Sequence, residues 1–390
     1  MNTLNYFRKQ IQENIQTYAI ILAMVVIWVL FYFLTGHRYL EPQNFSNLFR
    51  QMTVTSFMAI GMVLVIVTGN IDLSVGKLAG FVSVVVAHFQ ARVWYTLIPD
   101  KPVLAAMLSV VIGLAVGALF GVIQGWIIAY LKVPSFIVTL GGMWILNGAI
   151  LVVTQGKTIP ANQDEITFIA QGYLSPTLGW VIGALVIALL FYSMFGGRQK
   201  KQQYGFKLDP FVVDLAKTIF FSILILVYIF LVNKYKGFQN PVLLLAIVTA
   251  VMAYIASNSP FGRYAYAIGG NSEAARLSGI SIKRNVFTVF VLMGLLCGIS
   301  GVVLASYVGY GTIAAGQGYE LDAIGSCILG GTSTLGGVGT IFGAIIGSLI
   351  MTSLTNGLQM MNVAAAWQYI LKGVVLVLAV YSDVYLKRNR

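Results

Sequence analysis

Apolar runs separated by short polar gaps recur along the whole chain, at residues 18–35, 52–68, 78–97, 103–131, 136–154, 174–195, 211–232, 241–256, 286–308, 321–331, 337–358 and 367–384. A helix needs about 20 apolar residues to cross the hydrocarbon of a bilayer, and most of these runs approach that length. The pattern predicts an all-α integral membrane fold of about twelve transmembrane or half-spanning helices. Two runs are weaker. Residues 78–97 thin out after Phe89, and the run 321–331 rises only about 16 Å as a helix, against roughly 30 Å of hydrocarbon. Both are expected as half-helices. The run 18–35 has no small-residue cleavage site after it and is expected to stay as an anchor.

Composition agrees with the pattern: 58% of residues are hydrophobic and 9% are charged, where soluble domains carry about 25% charged residues. A single membrane domain spanning residues 1–390, surrounded by lipid, accounts for this. The formal charge of +12 would suggest a nucleic-acid partner in a soluble protein. Here the basic residues fill gaps between apolar runs rather than one helical face, so no nucleic acid is expected. They also set orientation, because Lys and Arg are retained on the cytoplasmic side. One set of alternate gaps holds Arg8, Lys9, Lys77, Lys132, Arg198, Lys200, Lys201, Lys207, Arg263, Arg276, Lys283, Arg284, Lys387, Arg388 and Arg390. The other holds Arg38, Arg50, Arg92, Lys101, Lys157, Lys234 and Lys236. The richer set belongs inside, which places both termini in the cytoplasm.

The polar interruptions carry the candidate chemistry. In residues 69–76 (Gly-Asn-Ile-Asp-Leu-Ser-Val-Gly) Asp72 is expected to cap a helix starting at Leu73, with Ser74 in reserve, or to sit at a break in a pathway lining. Asp322 invites the same two readings at the opening of the run 321–331. Ser135, Asn147, Gln368 and Lys372 are polar groups in or beside apolar runs, able to touch a passing solute or to bond between helices. Residues 269–280 (Gly-Gly-Asn-Ser-Glu-Ala-Ala-Arg-Leu-Ser-Gly-Ile) predict a short helix, with Asn271 or Ser272 as cap, Glu273 at its positive end and Gly279 as its left-handed stop. A helix under two turns long is not stable alone, so it needs packing from its own spans or from another protein. Small Ala274 and Ala275 would let a partner seat closely, with Arg276 free to meet an acidic group. Gly113, Gly117, Gly121 and Gly125, echoed by Gly339, Gly343 and Gly347, have the spacing that lets helices pack closely in lipid, within the subunit or at a dimer seam.

Other chemistry is missing from the sequence. There is no G-x-x-x-x-G-K-[ST] phosphate loop, His37 and His88 are isolated, and Cys297 and Cys327 lie in apolar runs without metal-ligand spacing. No catalytic constellation, metal site or cofactor site is expected, and a membrane-embedded enzyme is disfavoured.

The two ends of the chain also resemble each other. Phe120-Gly121-Val122-Ile123-Gln124-Gly125 aligns with Phe342-Gly343-Ala344-Ile345-Ile346-Gly347, and Ile145-Leu146-Asn147-Gly148 with Ile370-Leu371-Lys372-Gly373, at nearly the same offset. Under the assigned orientation the copies run oppositely, as in the inverted repeats of alternating-access transporters. The first repeat covers about 52–154 and the second about 286–384.

Together, the Glu273-Ala274-Ala275 turn with Gly279, the stretch 69–76, the stretch 133–141 (Val-Pro-Ser-Phe-Ile-Val-Thr-Leu-Gly) and Leu329-Gly330-Gly331-Thr332-Ser333 through Gly336-Gly337-Val338-Gly339 resemble the permeases of bacterial monosaccharide ABC importers, in the ribose, arabinose and xylose branch. The likeness runs from about residue 47 to 381. It implies a multi-pass permease of the bacterial inner membrane, forming a homodimer. An ATP-binding cassette ATPase subunit and an extracytoplasmic sugar-binding protein would be separate chains. Glu273, Ala274, Ala275, Arg276, Leu277, Ser278 and Gly279 would be the ATPase-coupling helix, and Asp72, Ser74, Ser135, Asn147, Asp322 and Gln368 candidates for the translocation pathway. Residues 174–237 look like a hairpin added to the shorter ribose-type pattern, as in xylose-type members, and the stretch 367–373 is similar to theirs too. The rival reading is a proton-coupled sugar carrier acting alone, which typically buries carboxylates along its route.

Overall fold

In hydrocarbon every backbone N–H and C=O must be paired within its own segment, so an apolar run of this length folds as a helix. The computed structural model describes residues 15–206, 208 and 210–388. Arg8, Lys9, Lys207 and Arg390, which entered the orientation reading, lie outside the described residues, as do both chain ends. Each apolar run carries a helix: α1 (Ile15–Leu34), α2 (Pro42–Val67), α3 (Val75–His88), α4 (Pro102–Ala129), α5 (Ser135–Thr154), α7 (Pro176–Gln203), α8 (Phe211–Asn233), α9 (Asn240–Asn258), α12 (Ile282–Val308), α13 (Tyr319–Leu329), α14 (Ile341–Met360) and α15 (Ala365–Arg388). Among the described residues, eight of these are long and apolar enough to cross a membrane: α2, α4, α5, α7, α8, α9, α12 and α14. This is an all-α membrane architecture. Among the described residues three short α-helices lie between the apolar runs: α6 (Asp164–Gln171), α10 (Pro260–Gly270) and α11 (Ser272–Leu277). Two-residue strands tie the loops, β1 (Ile159–Pro160) to β4 (Tyr310–Gly311) and β2 (Tyr173–Leu174) to β3 (Phe238–Gln239), both antiparallel.

Local chemistry sets the helix ends. Proline occupies the first turn of α2, α4, α7, α9 and α10, where its missing N–H costs nothing. Ser259 Oγ accepts from Gly262 N at 3.1 Å to start α10, and Thr340 Oγ1 accepts from Gly343 N at 3.0 Å to start α14.

The centre of the bundle is α2, buried along almost its whole apolar length, with α12 beside it. Residues buried on all sides read as uniformly apolar, which is why α2 has no polar face from Phe57 to Val67. Its few hydroxyls are used as interhelical ties: Ser56 Oγ lies 2.9 Å from Ser348 Oγ of α14, and Ser300 Oγ of α12 donates to Val54 O at 2.7 Å. Gly117 and Gly121 of α4 press on Gly294, Gly298 and the Phe290 carbonyl of α12, so this glycine ladder packs within the subunit. In the same way Gly343 and Gly347 of α14 press on Gly330 and Ser326 at the end of α13. Helices α7 and α8 pair as a hairpin at the side of the bundle, joined by Arg198 to Asp214.

The helix ends depart from the apolar runs in several places, two of which bear on the site, and one expected half-helix is seen. Helix α2 begins ten residues before its apolar run, because its first turns are amphipathic and bury Phe45 and Leu48. Arg50, read as part of a gap, therefore lies on α2, with its guanidinium donating to Asn47 Oδ1 and 5.3 Å from the Tyr307 ring centroid. Helix α3 ends in a wide π-helical segment, Phe89–Trp94, where the apolar run thins. Helix α13 has eleven residues and rises about 16 Å, too little to cross.

Candidate functional site

The segments singled out in the sequence meet at two levels of the bundle. At one end, the last residue of α2, helix α10 and the stretch 332–340 are held together. Gly337 N donates to Val67 O at 2.9 Å, and Tyr266 Oη donates to Gly339 O at 2.8 Å. Any side chain on Gly269 would strike the Val67 carbonyl, so this approach of backbone to backbone requires glycine.

On this base stands α11. Asn271 Oδ1 accepts from Ala274 N at 2.9 Å, Ser278 Oγ donates back to Ala274 O at 2.9 Å, and Gly279 closes the turn at φ +81°. Six residues would not hold a helix alone. The anchor is Ala275, buried against the chain's own spans, so its small size serves intramolecular seating rather than a partner. Leu277, by contrast, is 76% exposed, and Glu273, Ala274 and Ser278 face outward with it. Arg276 is not free as expected: its Nε donates to Glu273 Oε2 at 3.1 Å. This guanidinium holds the Glu273 carboxyl below the usual carboxylate range. A cavity of 610 Å³ runs behind α11, lined by Asn70, Lys132, Ser135, Ser272, Arg276 and Lys283 among others. Ser135 thus joins the α11 end, where its Oγ also accepts from Ile71 N at 3.4 Å.

Asp72 lies just inside this level, 2% exposed. Its Oδ1 accepts from Ser74 N at 2.8 Å and from Ser74 Oγ at 2.7 Å. The following helix starts at Val75 rather than Leu73, because Asp72 closes a side-chain turn onto Ser74 two residues on instead of capping a helix directly after it. Gln124 of α4 completes the cluster, with Oε1 3.2 Å from Ser74 Oγ. A charge here would cost on the order of 3 kcal/mol if left alone, and these contacts satisfy it.

Asp322 is also buried, on α13, and its Oδ2 accepts from Lys372 Nζ of α15 at 2.8 Å. Gln368 donates to Val363 O at 2.8 Å and so braces the start of its own helix. Asn147 stands apart from all of these. It lines a cavity of 540 Å³ between α3, α5 and residues 312–320, together with Lys77, Met143, Trp144, Thr312, Ile313, Ala314, Gln317 and Glu320. The expected pathway residues therefore fall into separate places rather than one. Lys77, read as part of a cytoplasmic gap, is a residue of α3 that faces a segment from the opposite set of gaps. Lys77, Gln317 and Glu320 were missed as site residues. The usable signal was a carboxylate two residues from Asp322, just after the closely spaced Gly316 and Gly318.

No side-chain cluster able to hold a metal ion occurs among the described residues. Comparison with known proteins decides the family. Residues 44–380 match the family described as branched-chain amino acid transport system / permease component. The chain belongs to this permease family. Its similarity to individual sugar permeases is extensive. It is 40% identical to the xylose transport system permease protein of Haemophilus influenzae over 378 residues, covering 96% of this chain and 98% of that one. It is also 40% identical to the Escherichia coli K12 xylose transport system permease protein over 376 residues, covering 96% and 93%. With the ribose import permease protein of Escherichia coli K12 the identity is 32% over 340 residues, covering 87% and 85%. No solved structure matches the chain. For a permease of this family, the exposed α11 and the open cavity that holds Lys77, Asn147 and Glu320 are the two features to explain.

Proposed function

We propose that this permease is the membrane-spanning subunit of an ATP-driven, binding-protein-dependent importer of a monosaccharide, xylose, in the bacterial inner membrane. An ATP-binding cassette ATPase subunit works on its cytoplasmic side and a sugar-binding protein on its outer side, and two copies of the chain form the membrane unit. Both termini lie in the cytoplasm. The twelve helices from apolar runs span or half-span the bilayer, with residues 52–154 and 286–384 as inverted repeats and 174–237 as an inserted hairpin. The substrate assignment rests on the likeness to the two xylose permeases, which exceeds that to the ribose permease.

The observation that carries the reading is the outer face of α11. A six-residue helix, held by a side-chain cap and one buried alanine, presents a leucine at 76% exposure. A large apolar side chain on a short, externally braced helix suits the groove of another protein. The same helix follows α10 after the single extended residue Asn271 and contacts it, and α10 packs on α2 and α12. A push on Leu277 therefore reaches the central helices, and ATP-driven movement of the partner biases the bundle between inward-open and outward-open packings.

The second reading, a proton-coupled carrier acting alone, draws on the buried carboxylates Asp72 and Asp322, to which Glu320 is now added. The two separate on energy source. Proteoliposomes carrying the chain, its ATPase subunit and xylose-loaded binding protein are expected to take up xylose only with ATP, in preference to ribose. Uptake on a proton gradient without the ATPase subunit favours the second reading and removes the first.

A further inference from the structure

We propose that the 540 Å³ cavity between α3, α5 and residues 312–320 holds the sugar part-way across, with Lys77, Asn147, Gln317 and Glu320 hydrogen-bonding its hydroxyls and Trp144 covering an apolar face. This rests on the import reading above and gives it a site.

Depth is the first support. Trp144 and Asn147 lie about 14 and 18 Å along α5 from Ser135, in a hydrocarbon core roughly 30 Å thick. The cavity is therefore near mid-depth, where ionisable side chains face a pathway or a partner group rather than lipid. The backbone gives the second. Residues 312–318 carry no helix, and α13, which begins at Tyr319, is too short to cross. Irregular backbone at this depth is tolerated where it is buried in protein or lines a water-filled cavity.

Glu320 gives the third. Its Oε2 is buried, lies over Gly76 and accepts no hydrogen bond, although Lys77 lines the same cavity. Two groups that served only to neutralise each other would close into an ion pair, as Asp322 and Lys372 do. Kept apart, they offer a donor and an acceptor to a molecule rich in hydroxyls. The volume lies within the roughly 300–1,000 Å³ of small-molecule sites.

Both native cysteines are buried, so the wild-type chain is its own unlabelled control. Asn147→Cys and Gln317→Cys are built into the complete importer in proteoliposomes and treated with a water-soluble maleimide. Both positions are expected to label, and xylose-loaded binding protein with ATP is expected to slow labelling several-fold where unloaded binding protein does not. In parallel, the near-isosteric Glu320→Gln is expected to lower xylose uptake severalfold while the complex still assembles with its ATPase subunit and the binding protein. The site assignment is overturned if neither cysteine labels, if sugar leaves labelling unchanged, or if Glu320→Gln imports xylose as the wild type does. If the wild-type complex itself fails to import xylose with ATP, the import reading falls and this inference with it.

Discussion

Replacing Lys372 by Met tests whether the pair it forms with Asp322 is a buried charge pair that ties α13 to α15. The Asp322 and Lys372 side chains are 8% and 14% exposed, and their charged atoms are 2.8 Å apart. At an effective dielectric of about 20 that separation is worth about 6 kcal/mol of attraction. Desolvation of the two ions takes back several kcal/mol each, so the intact pair contributes little net stability. Its loss on one side is different. With Lys372 gone, Asp322 keeps a buried charge, and its Oδ1 already has no hydrogen-bond partner. The expected cost of Lys372→Met is about 3–5 kcal/mol, the usual penalty for stranding one member of a buried pair. The double variant Asp322→Leu with Lys372→Met removes both charges and is expected to recover most of it. Because membrane proteins commonly unfold irreversibly, the assay is the half-life of the monodisperse protein at a fixed temperature in one detergent. A single variant as long-lived as wild type, or a double variant shorter-lived than the single, refutes the reasoning.

Three further outcomes are expected. Gly117→Ala drives a methyl group toward Gly294 and Gly298 across the α4–α12 contact and should cost about 1–3 kcal/mol by the same heat assay; Gly148→Ala, which meets nothing within 4 Å, should be neutral. Glu273→Lys and Ala274→Trp alter only exposed positions of α11, so the chain should purify normally while ATP-driven uptake falls to background; normal uptake by both variants counts against α11 as the coupling element. Asn271→Ala removes the cap on Ala274 N and should weaken α11 by about 1 kcal/mol, read as faster hydrogen exchange at that amide.

The apolar runs located every long helix, because a chain in hydrocarbon has few alternatives to helix. The polar termini were harder to read. Helix α10 announces itself with Ser259 as cap and Pro260 in the first turn, yet its mixed composition reads as a loop. Helix α6 hides similarly, since only Ile166 and Ala170 are buried and they lie one turn apart. The α11 turn was legible down to its cap because its signals are local: Asn271, Glu273 and Gly279 act on their near neighbours. Its inner and outer faces were not, because burial of Ala275 depends on how α11 folds back onto the flanking α10 and α12, which residue spacing does not state.

Pathway candidates fared unevenly for the same reason. Asp72 finds its partner two residues away, whereas the partner of Asp322 is 50 residues on and cannot be inferred from spacing. Lys77 and Glu320 belong to opposite sets of gaps and line one cavity only because residues 312–320 enter it beside α3. A rule that alternates sides at every apolar run has no place for such a segment.

The central claim is that α11 is the handle by which a separate ATPase moves this permease. Leu277→Cys, probed with an impermeant maleimide in sealed vesicles, tests it most directly, since both native cysteines are buried. The expected result is labelling from the cytoplasmic side only, blocked when the ATPase subunit is bound. Labelling from the outer side, or labelling indifferent to the ATPase subunit, would contradict the account.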